Sequence, residues 1–247
     1  MLLRKSIPLL LISLLLSPLS ALAQSLEELA QQGIDAYRAG EYDAAVVAWQ
    51  QMIELEPENT DAYNNLGATL YQLGELDAAA DAYRQALEID GTSADTYNNL
   101  GTVLALQEKY DEAAAAYSQA IELDPELPEA YVNLGNLLPP DQAVEAYQKA
   151  IELNPDYAQA YNNLGTVFAD LEQFEDAIAA YERALEIDPN FQAAQDNLAL
   201  IEAALNEDAA GTEPEESSSE PEESSSEPEE SSSEPEESSS EPEESSL

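Results

Sequence analysis

The chain has 247 residues, 52 acidic against 7 basic, for a formal net charge of −45, and it carries neither cysteine nor histidine. Those absences exclude disulfide frameworks, thiolate or imidazole metal sites and Ser-His or Cys-His nucleophilic pairs, and the charge sets the chain against nucleic acid and anionic lipid surfaces. With 44% hydrophobic residues it still has the apolar content of a folded protein, so charge and core must be distributed unevenly along it.

Residues 1–23 read as a secretory signal. Arg4 and Lys5 make a positive start, Ile7 to Leu16 is nearly all Leu and Ile, and Pro18 precedes the small-x-small triplet Ala21-Leu22-Ala23. The apolar run falls short of the roughly 20 residues that span a bilayer. Cleavage after Ala23 is therefore expected, with no stable membrane span in the mature chain. The protein is expected to be exported: periplasmic or extracellular in a bacterium, lumenal or secreted otherwise.

The middle of the chain is repetitive. Gly33, Gly67, Gly101, Gly135 and Gly165 fall on a grid whose first three intervals are 34 residues and whose fourth is 30. Ala45, Ala79, Ala113, Ala143 and Ala177 share that grid, as do Trp49, Tyr83, Tyr117, Tyr147 and Tyr181. Pro57, Pro125, Pro155 and Pro189 close their units, with Gly91 standing in at the second. A fixed period of this length marks a solenoid of identical supersecondary units.

The unit from Asp61 to Ser93 shows the pattern. Tyr63, Leu66, Gly67 and Leu70 stripe a first helix, Gly74 suits a positive φ at its end, and Leu76, Ala79, Ala80, Tyr83, Ala86 and Leu87 stripe a second. The small grid residues are expected where helices approach closely. The aromatics, with Tyr63, Tyr97, Tyr131 and Tyr161 of the first helices, are expected in the core rather than in an aromatic ligand site.

Residues such as Ala62-Tyr63-Asn64-Asn65-Leu66-Gly67, followed by Ala79, Tyr83, Ala86 and Leu87, resemble tetratricopeptide repeats. Units fall at 26–59, 60–93, 94–127, 128–157 and 158–191, with a capping helix over 192–206 that completes a domain of residues 24–206. The resemblance implies an all-α fold, a right-handed superhelix of five helix pairs and a cap, whose first helices line a concave groove for peptide or protein segments.

In that groove the residue just before the apolar Leu is Asn65, Asn99, Asn133 and Asn163, and Asn197 continues the row, with Asn64, Asn98 and Asn162 beside it. An amide offers both donors and an acceptor, so such a row can bond an extended backbone without demanding a sequence. It resembles the asparagine ladder in the repeats of O-linked N-acetylglucosamine transferase. The plainer alternative is that these amides join neighbouring helices. A clamp for carboxylate termini is not expected, because the first turns offer Asp61, Asp95 and Glu129 and no base. A neutral or basic extended partner suits that charge better.

The fourth unit is shorter: Gly135 to Ala143 spans 8 residues where the others span 12. Pro139 and Pro140 are expected to end its first helix early, with Asp141 capping the second. A tolerated deletion is the plainer reading, and a hinge or side pocket next to Asn133 and Asn136 the functional one.

From Glu213 the unit Glu-Pro-Glu-Glu-Ser-Ser-Ser repeats, so residues 207–247 read as a disordered acidic tail, a spacer or a weak collector of Ca²⁺. No catalytic constellation, phosphate loop, cofactor motif or metal motif stands out, and a non-enzymatic adaptor is the expectation. The alternative is a structural or cation-associated surface protein whose tail is the working part; an assembly factor is a lesser reading. Without the signal and the tail, residues 24–206 still hold 35 acids against 5 bases, so the repeats themselves are acidic.

Overall fold

The computed structural model describes residues 18–211, with side chains described for 25–206. The described residues form eleven helices: α1 (Pro18–Arg38), α2 (Tyr42–Leu55), α3 (Thr60–Gln72), α4 (Leu76–Ile89), α5 (Ala94–Leu106), α6 (Tyr110–Leu123), α7 (Pro128–Gly135), α8 (Pro140–Leu153), α9 (Ala158–Asp170), α10 (Phe174–Ile187) and α11 (Gln192–Gly211). Each first helix packs on the second helix of its unit, and each pair on the next, so the described residues form an all-α solenoid. The signal segment up to residue 17 and the tail from 212 lie outside the described residues. Helix α1 begins at Pro18 and runs through Ala21–Ala23 into the first unit, while α11 continues five residues past Asn206.

Two kinds of turn recur, each for a local chemical reason. Within a unit, the chain leaves the first helix through a left-handed residue: Gly40 and Gly74 at φ 76°, Glu108 at φ 61° and Glu172 at φ 58°. The amide N–H that follows bonds five residues back, as from Glu75 to the Leu70 carbonyl at 2.9 Å, which closes the helix with its last carbonyls satisfied. Between units, the second helix ends outside the helical conformation at Glu56, Asp90, Asp124, Asn154 and Asp188; proline follows four of these and disfavours that conformation, while Gly91 follows Asp90. The side chains of Asp124, Asn154 and Asp188 then accept the amide N–H two residues on, at 2.9, 3.2 and 3.0 Å.

The core sits where the aromatic of each second helix meets the glycine of its own first helix. A Cβ placed on Gly33 would lie 2.5 Å from the Trp49 ring, and on Gly101 2.6 Å from the Tyr117 ring. The glycines therefore make room for a ring, not for close helix-to-helix approach as the sequence suggests. Trp49, Tyr83, Tyr117, Tyr147 and Tyr181 are all buried, with Ala45, Ala79, Ala113, Ala143 and Ala177 beside them. By contrast Tyr63, Tyr97, Tyr131 and Tyr161, also expected in the core, are half-buried.

The shortened unit loses its residues from one place. Helix α7 has 8 residues where α3, α5 and α9 have 13, while α8 keeps the 14 residues of the other second helices. The left-handed turn is lost with them. Pro139 takes the cap position of α8 and Pro140 its first turn, so Asp141 lies inside the helix rather than capping it. Its carboxylate still faces the positive end of the helix dipole. A cavity of about 370 Å³ does accompany this unit, but Ile121, Tyr131, Leu134, Leu138 and Lys149 line it, not Asn133 or Asn136.

Replacing Gly101 by Ala should lower stability by about 1–3 kcal/mol in urea unfolding, because the buried ring opposite has nowhere to go. Replacing Glu108 or Glu172 by Gly should raise it by about 0.5–1 kcal/mol each, since only glycine adopts that backbone freely. A destabilised Glu108→Gly variant would contradict the turn geometry.

Candidate functional site

Equivalent positions of the first helices α1, α3, α5, α7 and α9 and of the capping helix α11 form columns running across the solenoid. The amide column is Gln31, Asn65, Asn99, Asn133, Asn163 and Asn197, and it changes character along its length. Gln31, Asn65 and Asn99 are exposed, whereas Asn133, Asn163 and Asn197 are half-buried.

The reason lies in hydrogen bonds between units. The Asn133 amide donates to the Asn98 carbonyl oxygen at 2.9 Å, Asn163 to Asn136 at 2.9 Å, and Asn197 to Asn162 at 3.1 Å. Asn64 instead accepts from the Thr96 hydroxyl at 2.8 Å, and Trp49 donates across the first joint to Thr69 at 3.1 Å. Each of the five joints is thus closed by a side-chain hydrogen bond. Asn64 and Asn98 are half-buried and Asn162 is buried, as such a role requires. Of the amides singled out from the sequence, Asn99 makes no hydrogen bond among the described residues. Asn65 commits only one N–H, to the Asp61 carbonyl at 2.8 Å, and its oxygen stays open. Asn133 and Asn197 likewise donate one N–H each, so what sets Asn65 and Asn99 apart is that they are exposed and make no bond between units.

A second column, three residues after the amides, was not evident from the sequence: Ile34, Ala68, Thr102, Asn136, Thr166 and Leu200. Its polar members hold the heads of the core rings. Tyr117 donates to Thr102 at 3.4 Å, Tyr147 to Asn136 at 2.8 Å and Tyr181 to Thr166 at 3.2 Å. Thr102 and Thr166 pass the bond to backbone carbonyls of Asn98 and Asn162. The signal was present as a polar residue three places after the amide in the last three units. Its meaning needed the tyrosine on the other helix.

Acids dominate the surroundings. Asp61, Asp95 and Glu129 are exposed in the first turns of α3, α5 and α7. Arg84, Lys149 and Arg183 lie on second helices and pair there with Asp81 and Glu112, with Glu152, and with Asp156 and Glu186. Arg183 also sits 5.8 Å from the Tyr161 ring centroid. Among the described residues no group of three or more acids is placed to hold a metal ion, and no helix is long and apolar enough to cross a membrane.

Burial pushes the phenols of Tyr83, Tyr117, Tyr147 and Tyr181 above their ordinary value, most strongly at Tyr83, where Tyr37 and Tyr71 add to it. The fold therefore favours the neutral phenols. Their stabilisation is intact below the unfolded value near pH 10 and declines as pH rises beyond it, by up to about 1.4 kcal/mol per pH unit for each tyrosine. Urea midpoints should be flat between pH 7 and 9 and fall above pH 10. Tyr83→Phe should reduce that fall; an equally steep loss in the variant would remove Tyr83 as its source.

Models of the tetratricopeptide repeat match residues 31–94, 82–115 and 158–191, and a further model of that repeat matches 103–138 and 141–172. Among solved structures, MamA is similar at 27% identity, covering 64% of this chain and 94% of that one, with a TM-score of 0.58. YrrB, described as a repeat protein with an unusual peptide-binding site, shares 24% identity over 71% of this chain and 96% of its own, at 0.57. The Pseudomonas aeruginosa PilF fold aligns at 22% identity over 78% and 95%, at 0.62. No curated protein matches the chain at a significant level.

Proposed function

This chain belongs to the tetratricopeptide-repeat family, and from that premise we propose that it is an exported, non-catalytic scaffold that holds an extended protein segment in its concave groove. The observation that carries the reading is the pair of exposed amides at Asn65 and Asn99, at equivalent positions on α3 and α5, which take no part in the hydrogen bonds that join the units. Two such amides can bond a main chain as a neighbouring strand would, with no preference for its side chains. The fold it shares with YrrB, a protein described as binding peptide, is in keeping with this.

The acidic first turns select against an acidic partner and favour a neutral or basic one, mainly by steering and by excluding wrong partners. Export rests on the signal-like residues 1–23. The Glu-Pro-Glu-Glu-Ser-Ser-Ser tail supports a second role, as a solvated spacer or weak Ca²⁺ collector, which does not depend on the groove.

Asn65→Ala with Asn99→Ala should leave the unfolding free energy within about 0.5 kcal/mol, as both side chains are exposed. The same pair should weaken capture of a specific partner about tenfold, the effect of one or two lost hydrogen bonds. Unchanged capture by a folded double variant would overturn the groove assignment. Deleting residues 212–247, which spares α11, should leave groove binding intact; loss of binding on that deletion would favour the tail as the working part.

A further inference from the structure

The N-terminal end of the groove differs from the rest because of one small side chain. In the last three units the second column holds a phenol, at Thr102, Asn136 and Thr166. In the second unit that position is Ala68, and the Tyr83 hydroxyl has no hydrogen-bond partner among the described residues. No fully buried polar side-chain atom there is left without one, so this hydroxyl opens to solvent although its residue is 3% exposed.

Beside Ala68 lies a cavity of about 310 Å³, lined by the apolar groups of Ile34, Ala68 and Trp49 and the polar groups of Tyr37, Arg38 and Asn65. Thr69, which also lines it, is spent: it accepts from Trp49 and donates to the Asn65 carbonyl.

The charge in this cavity runs against the rest of the domain. No carboxylate lines it, while Arg38 does, and Arg38 forms no ion pair among the described residues although Arg84, Lys149 and Arg183 each do. The guanidinium brings five N–H donors and no acceptor, and the Tyr37 phenol adds one more donor. A group rich in acceptors, planar and small, on a short apolar stem, is the complement of that set.

We propose that this cavity takes the carboxylate side chain of an aspartate or glutamate within the bound segment, with its stem against Ile34 and Ala68 and its charge on Arg38. The proposal rests on the groove reading and adds to it one acidic position in an otherwise neutral or basic segment. It also supplies what an amide row alone cannot, a fixed register for the segment.

Random 12-residue peptides displayed internally between linkers, so that none offers a free carboxyl terminus, are selected on the immobilised full chain and on its Arg38→Gln variant. The chain should enrich an Asp or Glu at a single position, which bulk charge cannot produce because it acts in the opposite direction. A capped synthetic peptide from that set should bind about tenfold more tightly than its glutamine analogue. Trp49, the only tryptophan of the chain, reads the titration by its fluorescence. Arg38→Gln should erase the difference between the two peptides while both still bind. Arg38 is exposed at the end of α1, so the variant should fold, and circular dichroism verifies this. Enriched peptides without an acidic position, or a difference that survives in Arg38→Gln, overturn this proposal alone. No enrichment over bare matrix overturns the groove reading and this proposal together.

Discussion

An aromatic ring can lie against a helix only where that helix has no side chain in the way, and five times along this chain a glycine provides the space. The Tyr or Trp of the second helix fills it, which fixes the angle and distance of the pair with one buried contact. Burial of each such ring is worth about 1.5–3 kcal/mol. Because the same ring also carries a polar head, it must emerge where a partner can meet it. Thr102, Asn136 and Thr166 of the first helices meet that head in the last three units. Groove chemistry and core packing are thus two ends of one side chain.

From this follows the uneven character of the groove. Towards the C-terminal end the amides of Asn133, Asn163 and Asn197 are half-buried and bond the neighbouring unit. Towards the N-terminal end the column carries Ile34 and Ala68, and the neighbouring amides remain open. A solenoid assembled from near-identical units therefore carries an uneven row of side chains along its first helices, without any change of fold.

Much of this was legible from residues alone. The period, the glycine, alanine and aromatic columns and the prolines after four of the five second helices report local constraints, although not what the glycines make room for. What the sequence concealed depended on pairs 11 to 35 residues apart. Nothing in Asn98 or Asn133 alone says that one accepts from the other, since the distance between consecutive first helices decides it. A left-handed turn at Glu108 and Glu172 was equally hidden, because propensity favours glycine there and the tertiary fold overrides it. The fourth unit misled in a third way. The prolines do end α7 early, but Pro139 itself takes the cap position assigned to Asp141, and the space created opens on the Tyr131 side.

The joints have a consequence for how such a chain can grow. Asn64 and Asn98 occupy the same place in successive units and both act as acceptors, one for the Thr96 hydroxyl and the other for the Asn133 amide. If the unit 94–127 were removed by an unequal exchange of genetic material, Asn133 would meet Asn64 in place of Asn98 and find the same oxygen waiting; if it were copied, the second Thr96 would meet Asn98. No polar group would be stranded. Interchangeable acceptors let the number of units vary between descendants without each change having to be repaired by a second mutation.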